Sequence, residues 1–169
     1  MNPQELESVN SLLSSTLEST QDGILVVDRA GKITLFNRRF LELWRIPKDI
    51  VESRSDEKAI GFVLDQLVDP DAFLRKVKEL YADDDAESHD RLVFKDGRAF
   101  DRYSRPQLIG NKAVGRVWCF RDVTEQVRAE QSLLARNAEM EKLLKNMVGR
   151  EQQMIELKDR VKKLEEKSG

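Results

Sequence analysis

The chain has 169 residues, with 29 Lys and Arg against 31 Asp and Glu, and a formal net charge of −2. This length allows one domain of ordinary size with an appendage, and the balanced charge gives no electrostatic reason to expect nucleic acid or a membrane surface as a partner. The longest aliphatic run, residues 24–27, is too short to span a bilayer, and no signal-peptide pattern opens the sequence. The single cysteine, Cys119, excludes an intrachain disulfide, and we expect a cytoplasmic protein.

Aromatic residues divide the chain. All seven phenylalanines and both tryptophans lie within residues 22–122, a segment that can fill a hydrophobic core. Residues 123–169 contain no aromatic residue and no proline and are rich in charge, which predicts an extended helix that needs a partner. We therefore predict three parts: an N-terminal amphipathic helix in residues 1–21, a folded core in 22–122 and a coiled-coil helix in 123–169.

The first predicted element is an amphipathic helix over residues 5–20, where apolar side chains recur at helical spacing, at Leu6, Val9, Leu13 and Leu17. We expect its apolar face to pack on the open face of a sheet or on the same helix of a second copy. Two short strands follow, over residues 24–27 and 32–36, and Gly31 supplies the positive φ angle of their tight turn. The first strand is apolar on both faces, which predicts cover on both sides.

A helical segment follows this hairpin. Asn37 is a suitable N-cap for a short helix that ends at Pro47. Two further helices are predicted over residues 56–68 and 70–81, separated by an Asp-Pro pair that suits a helix start. The acidic residues 82–90 predict a solvated loop.

Three strands in a meander complete the core, over residues 91–94, 99–109 and 113–121. Glycine-containing turns separate them. The order is then helix, two strands, short helices, three strands and a long helix. Five strands with a helical insertion after the second predict an α+β domain.

The last strand passes into the long helix without a loop. Asp122 can accept a hydrogen bond from the backbone N–H of Glu125, and the Glu125 side chain can accept one from the N–H of Asp122. This reciprocal capping box stabilises a helix start by about 1 kcal/mol. Both carboxylates also lie at the positive end of the helix dipole.

Apolar residues recur in the long helix at alternating spacings of three and four, the heptad pattern of a coiled coil. Seven of eight such positions, called the seam here, are apolar: Met140, Leu143, Met147, Met154, Leu157, Val161 and Leu164. The eighth is Arg150, preceded by Gly149, which lowers helix stability by about 1 kcal/mol relative to alanine. This pair is either tolerated variation or a functional soft point, and we favour the soft point. The seam needs a second chain, and a parallel symmetric dimer is the simplest arrangement.

Three stretches, in this order, resemble the PAS domain, a sensor module of bacterial signal transduction. The stretch DGILVVDRAGKITLFNRRFLELW resembles its opening hairpin and first core helix, and LVFKDGRAFDRYSRPQ resembles its third and fourth strands. GRVWCFRDVTE resembles its fifth strand, ending in the Asp-x-Thr signature at Asp122, Val123 and Thr124. The resemblance covers roughly residues 10–124 and implies a five-stranded antiparallel sheet cradling short helices. It also implies a sensing or relaying role, coupled to an effector or a partner chain.

The resemblance does not imply a ligand, since family members bind haem, flavin, small acids or apolar molecules, or no ligand. For haem it implies a proximal histidine on the helix before the third strand, whereas the only histidine, His89, lies in the predicted acidic loop. NRRFL at residues 37–41 resembles the flavin-adduct motif of light-sensing members, but Arg38 stands where the cysteine is needed. We expect neither haem nor a flavin adduct, and Cys119 is interpreted as a small buried side chain.

Catalytic motifs are missing from the sequence. It contains no phosphate-binding glycine loop, no paired-histidine metal spacing and no nucleophile elbow, so no catalytic or metal site is predicted. The long helix contains no histidine, which excludes it as a phosphoacceptor on histidine. Any kinase or cyclase activity would lie in a domain absent from this chain.

Aromatic side chains supply the candidate ligand pocket. The predicted pocket residues are Phe40, Trp44, Phe62, Phe73, Tyr103, Ser104 and Trp118. Tyr103 and Ser104 would serve as polar anchors, although strand pleating sends them to opposite faces. Aromatic residues dominate small-molecule pockets and ordinary cores alike, so a small apolar or aromatic ligand and a filled core both stay open, with the filled core favoured.

Together these observations predict a dimeric sensory module that passes a ligand- or partner-induced change through a signal junction, formed by Asp122, Thr124 and Glu125. The receiving element would be the coiled coil of a bacterial signalling protein, such as a sensor histidine kinase of a two-component system. The homodimer would form through the coiled coil and the N-terminal helix, and an effector domain or partner kinase is a further candidate partner. The alternative is a structural homodimerisation domain with a packed, ligand-free core.

Overall fold

A computed structural model describes residues 2–168. The chain divides into two compact units, one ending at Thr124 and the other beginning at Glu125. The elements in chain order are α1 (Pro3–Glu18), β1 (Gly23–Asp28), β2 (Ile33–Phe36), α2 (Arg38–Trp44), α3 (Lys48–Glu52), α4 (Asp56–Leu64), α5 (Pro70–Ala82), β3 (Ser88–Val93), β4 (Ala99–Ile109), β5 (Lys112–Asp122) and α6 (Thr124–Ser168). Within the part of the chain that is described, no helix is long and apolar enough to cross a membrane.

The five strands form one antiparallel sheet in the order β2-β1-β5-β4-β3. The helices α2 to α5 lie between the second and third strands of the sequence, as the order of elements predicts. The α+β class, the five-stranded antiparallel sheet, the N-terminal helix and the long C-terminal helix are therefore confirmed.

Some predicted boundaries are wrong. The short helix α3 is missing from the prediction, because five residues are too few to show helical periodicity. Helix α4 ends at Leu64 rather than at residue 68. Strand β3 begins at Ser88, so the predicted loop over residues 82–90 is wrong for its last three residues. These three residues are polar, so they show no apolar strand pattern, but they pair with β4, and Asp90 lies opposite Arg102.

The core lies between the sheet and the helices, and Trp44 is its central residue. The Trp44 side chain is 1% exposed. Four phenylalanine rings surround it at centroid distances of 5.1 to 6.2 Å, two of them in edge-to-face geometry within a degree or two of perpendicular: Phe73, Phe94, Phe100 and Phe120. Edge-to-face pairs of this kind each contribute about 0.5–1.5 kcal/mol beyond the burial of their area. The aromatic cluster therefore holds α2 against the sheet.

Asn37 is completely buried and joins three elements. Its side-chain oxygen caps α2 by accepting from the N–H of Phe40 at 3.0 Å, which confirms the predicted N-cap. The same oxygen accepts from the N–H of Ile24 in β1 at 2.8 Å. Its amide nitrogen donates to groups at and after the end of α1: the carbonyls of Leu17 and Asp22 and the hydroxyl of Thr20. One side chain thus fixes the end of α1 against the start of α2.

Three of the four apolar stripe residues of α1 are exposed, and the fourth, Leu17, is half-buried. Leu6, Val9 and Leu13 are 44 to 57% exposed, and no residue of α1 is buried. The sheet therefore does not cover this stripe, and packing on the same helix of a second copy stays a prediction.

Strand β5 passes close to the backbone of β1 at Gly115. A Cβ atom built at this position would lie 2.4 Å from the carbonyl oxygen of Val27 and 3.1 Å from the Cα of Asp28. Both of these are backbone atoms of the paired strand, which a side-chain rotation cannot move away. Only glycine therefore allows β5 to pair with β1 at this point.

Replacing Gly115 by alanine should lower the free energy of unfolding by about 2 kcal/mol, since the added methyl group displaces paired backbone. Gly61→Ala is the matched control, because a Cβ there meets nothing within 4 Å and the residue lies inside α4. That control should stabilise the protein by about 1 kcal/mol. Urea unfolding followed by circular dichroism measures both, and effects of the same sign would contradict this account of Gly115.

Candidate functional site

A small cavity lies between the sheet and the helices α2, α4 and α5. Its volume is about 30 Å³, and its apolar wall is formed largely by Leu25, Phe40, Trp44, Phe73, Trp118 and Phe120. Pockets for drug-sized ligands have volumes of about 300–1,000 Å³. The core is therefore nearly filled, and neither a haem nor a flavin fits this cavity.

Four of the seven predicted pocket residues meet at this cavity, namely Phe40, Trp44, Phe73 and Trp118. Phe62 does not, because the cavity-lining side of α4 carries Ala59 and Val63 and Phe62 lies beside a separate surface pocket. Tyr103 lies on the outer face of the sheet, 38% exposed and stacked on His89 at 4.2 Å. Ser104 is buried, but its hydroxyl accepts a hydrogen bond from Arg116 at 3.2 Å and does not line the cavity.

Arg102, like Asp56, is a polar cavity residue that the sequence analysis missed. Its side chain is 1% exposed, and its Nε and Nη2 donate to the two carboxylate oxygens of Asp90 at 2.8 and 2.6 Å. The guanidinium lies over the rings of Phe73 and Trp118, at 4.8 and 5.5 Å from their centroids. Inward-facing positions alternate along β4, so the signal that was overlooked is an arginine between the buried residues Phe100 and Ser104.

Two buried donors at this cavity lack an acceptor. Among the described residues, the indole N–H of Trp44 and the Nη1 group of Arg102 have no hydrogen-bond partner. Both side chains line the cavity and both contact the ring of Phe73. A buried polar group without a partner costs about 1–3 kcal/mol, so these two unpaired donors are an unusual feature of a largely apolar site.

Asp56 supplies a third polar group to the cavity wall. The residue is 6% exposed, and burial raises the pKa of its carboxyl group above the ordinary value. The hydroxyl of Tyr81 donates a hydrogen bond to this carboxylate, and burial together with the nearby negative charge raises the pKa of Tyr81. Arg116 lies close to Tyr81, but its guanidinium donates to the backbone carbonyls of Asp83 and Ala86, both at 2.8 Å.

The signal junction predicted at the end of β5 is built around Thr124. The Thr124 hydroxyl accepts from the N–H of Ala99, the first residue of β4, at 3.1 Å and donates to the Asp122 carboxylate at 2.5 Å. The Asp122 carboxylate also accepts from the N–H of Thr124, so Thr124 takes the place that the predicted capping box gives to Glu125. The N–H of Val123 donates to the carbonyl of Ala99 at 2.9 Å. The chain leaving β5 is therefore tied to the start of the neighbouring strand.

Residues 17–131 match the sequence profile of the PAS fold, which is more than half of the chain. The chain belongs to the PAS-fold family. No curated protein matches the sequence at a significant level.

Solved PAS structures share the fold at low identity. The PAS domain of an HTR-like protein from Haloarcula marismortui is 21% identical, with a TM-score of 0.50 over 70% of this chain and 95% of that chain. The PAS domain of BvgS from Bordetella pertussis is 17% identical, with a TM-score of 0.51 over 78% of this chain and 98% of that chain. The sensor region of a sensor histidine kinase is 20% identical, with a TM-score of 0.47 over 61% of this chain. The chain spans 40% of the length of that sensor region.

Within this PAS domain, Cys119 and His89 lie away from the cavity. Cys119 is half-buried in β5 beside Tyr103 at a surface pocket, and burial raises the pKa of its thiol. His89 is exposed on β3. Among the described residues, no group of three or more His, Cys, Asp or Glu side chains could hold a metal ion.

The unit that begins at Glu125 is helical, and α6 as a whole has 45 residues. The apolar seam residues are 53 to 64% exposed: Met140, Leu143, Met147, Met154, Leu157, Val161 and Leu164. Arg150 is exposed as well. Helix α6 has no break at Gly149 and Arg150.

Replacing Asp56 by asparagine should stabilise the protein increasingly as the pH rises above about 4, up to the pKa of the carboxyl group in the folded protein. A carboxyl group whose pKa is raised by folding contributes its full stability below the unfolded pKa of about 3.9 and loses it as the pH rises through the folded pKa. Asparagine stays uncharged and still accepts from Tyr81, so it removes this loss, which amounts to about 1.4 kcal/mol for each pH unit between the two pKa values.

Urea unfolding at several pH values tests this prediction. Glu57→Gln is the matched control, since it makes the same change of charge at the exposed neighbouring residue of α4. A stability difference between the Asp56→Asn protein and the original protein that stays constant from pH 4 to 7 would sink this account of Asp56.

Proposed function

We propose that this chain is a dimeric sensory module in which the PAS core passes a ligand- or partner-induced change into a coiled-coil output helix. The observation that supports the proposal is the junction around Thr124. Strand β5 is paired with β1 on one side and β4 on the other, and it runs into α6 without a loop. A loop would absorb a displacement, whereas a strand fastened directly to a helix passes it on.

In this mechanism the junction residues Asp122, Thr124 and Glu125 act as the coupling element. A ligand or partner would shift the sheet only through different affinities for two states of the core. A movement of β5 relative to β4 would change the hydrogen bonds that Val123 and Thr124 make with Ala99, because these bonds tie the chain after β5 to the start of β4. The first turn of α6 would then rotate or repack, and the coil would carry the change away from the core.

The proposed dimer is supported by the seam. Its apolar residues repeat at heptad spacing and are all more than half exposed. In a parallel two-chain coiled coil, the seam would be buried against the seam of the second chain. The exposed stripe of α1, with Leu6, Val9 and Leu13, would add a second contact between copies.

We propose the three parts as residues 1–21 for the N-terminal helix, 22–122 for the PAS sensor core and 123–169 for the output helix. The module would act in a bacterial signalling protein, such as a cytoplasmic sensor histidine kinase, with the effector in another domain or partner chain. The pair Gly149 and Arg150 would be a soft point of the coil, since a charged seam residue weakens the pairing of the helices there.

A structural role is the second candidate, and the small size of the cavity favours it. A core with only about 30 Å³ of free space resembles that of a domain that binds nothing. In that case the PAS core would be a dimerisation domain and the junction would serve only as a helix cap.

Replacing Thr124 by valine should weaken the attachment of the end of β5 to the start of β4. Valine keeps the shape of the side chain but removes the hydroxyl that joins Asp122 to Ala99. Amide hydrogen exchange should become about tenfold faster at Ala99 and in the first turn of α6, which corresponds to the loss of about 1–1.5 kcal/mol. Thr16→Val is the control, since its hydroxyl bonds only within α1, to the carbonyl of Leu12. Faster exchange at Ala99 alone would reduce the junction to a local cap.

A charge on the seam should dissociate the dimer, whereas the same charge beside it should not. Leu157→Lys places an ammonium group in the seam, and Ile155→Lys places one off the seam at a residue of similar exposure, 60% against 55%. We expect the first variant to raise the dissociation constant of the dimer at least about tenfold and the second to change it less than threefold. Sedimentation across a concentration series measures both. A monomer at tens of micromolar in the unmodified chain would refute the dimer itself.

A further inference from the structure

Two side chains that carry unpaired hydrogen-bond donors line one apolar cavity from different elements. Trp44 comes from α2 and Arg102 from β4. The Trp44 ring is enclosed by phenylalanine rings, which offer its N–H no oxygen or nitrogen acceptor. The Arg102 guanidinium has its Nε–Nη2 edge on Asp90 and its plane against Phe73 and Trp118, which also line the cavity. Its Nη1 group is the part of the guanidinium that has no hydrogen-bond partner among the described residues.

The charges around the cavity disfavour an anion as the acceptor for these donors. The positive charge of Arg102 is already paired with the Asp90 carboxylate through two short hydrogen bonds. The other ionisable side chain that lines the cavity is Asp56, which is acidic. An added anion would find no uncompensated positive charge to offset the loss of its hydration, and burying a charge without a partner is costly. An uncharged oxygen acceptor meets the same donors without this cost.

The size and lining of the cavity restrict which ligand can carry this oxygen acceptor. One water molecule needs about 10–15 Å³ of such space, so about 30 Å³ holds a few non-hydrogen atoms. The remaining wall is aliphatic and aromatic and suits small alkyl groups.

We propose that the cavity binds a small uncharged carbonyl compound, with its oxygen accepting from Trp44 and Arg102 and its alkyl groups against the apolar wall. This inference rests on the proposed sensory role and names the class of ligand for it. The Trp44 indole and the Arg102 Nη1 group would be the ligand-binding donors, while Asp90 is a positioning residue that holds the guanidinium.

The test uses three probes of nearly equal shape on the full-length chain at pH 7: acetone, acetate and isobutene. Acetone carries an uncharged acceptor, acetate carries a charged one and isobutene carries none. The chain has two tryptophans, so a nitrogen–proton correlation spectrum contains two indole signals, and Trp118→Phe assigns them. Millimolar acetone should shift the Trp44 indole signal saturably, with a dissociation constant at least about tenfold lower than those of acetate and isobutene.

Trp44→Phe removes one donor and should weaken the binding of acetone about tenfold. Tyr103→Phe is the control, since it removes one polar group from an aromatic side chain on the outer face of the sheet, away from the cavity. This control should change the affinity less than threefold. If Trp44→Phe does not fold, the ranking of the three probes on the unmodified chain decides alone.

Three results would overturn the inference. Acetate binding as tightly as acetone would show an anion site, equal binding of isobutene would show a purely apolar cavity, and no shift with any probe would show that the donors serve only the fold or a bound water. The backbone signal of Thr124 in the same spectra separates this inference from the proposed relay. A shifted Trp44 indole with an unchanged Thr124 supports the ligand class and counts against transmission to the junction.

Discussion

The double pairing of β5 is the constraint on which the rest of this structure depends. Strand β5 is the central strand, hydrogen-bonded to β1 along one edge and to β4 along the other, and the glycine at position 115 is what permits the close approach to β1. Because neither edge is free, a displacement of β5 is opposed by the hydrogen bonds of both ladders. The side chains on its inner face, Trp118 and Phe120, line the cavity, and its last residue is Asp122 at the junction. Cavity and junction therefore lie on one rigid element.

The helix α2 is the second wall of the cavity and is held by two independent devices. Asn37 anchors its start to β1 and to the end of α1, and the phenylalanine rings around Trp44 anchor its end to the sheet. Fixing a helix at both ends leaves little freedom for its buried side chains to find other hydrogen-bond partners. This is a physical reason why the indole N–H of Trp44 remains without an acceptor: moving it would disturb the aromatic packing, which contributes more than one hydrogen bond does.

Local signals predicted the fold well, because they act within a few residues. Gly31 has the positive φ angle of 77° that the hairpin needs, and Asn37 caps the helix that follows it. The residues of the site were harder to predict, because they depend on which residues face each other across the sheet. The pairing of Asp90 with Arg102 follows from the register of β3 against β4, which no local pattern contains. Tyr103 and Phe62 were misplaced for the same reason: an aromatic side chain suits a pocket by its type, but its face is set by strand pleating or helix phase.

The two edges of the sheet differ from its centre in a way that bears on assembly. One edge strand, β2, has only four residues, and the other, β3, carries polar and charged side chains at His89, Asp90 and Arg91. Short strands and charged strands both disfavour pairing of one sheet with another, the usual first step towards β-aggregation. In the proposed dimer the exposed apolar stripes of α1 and α6 would join the copies, while these edge strands keep the sheets from pairing into a continuous ribbon.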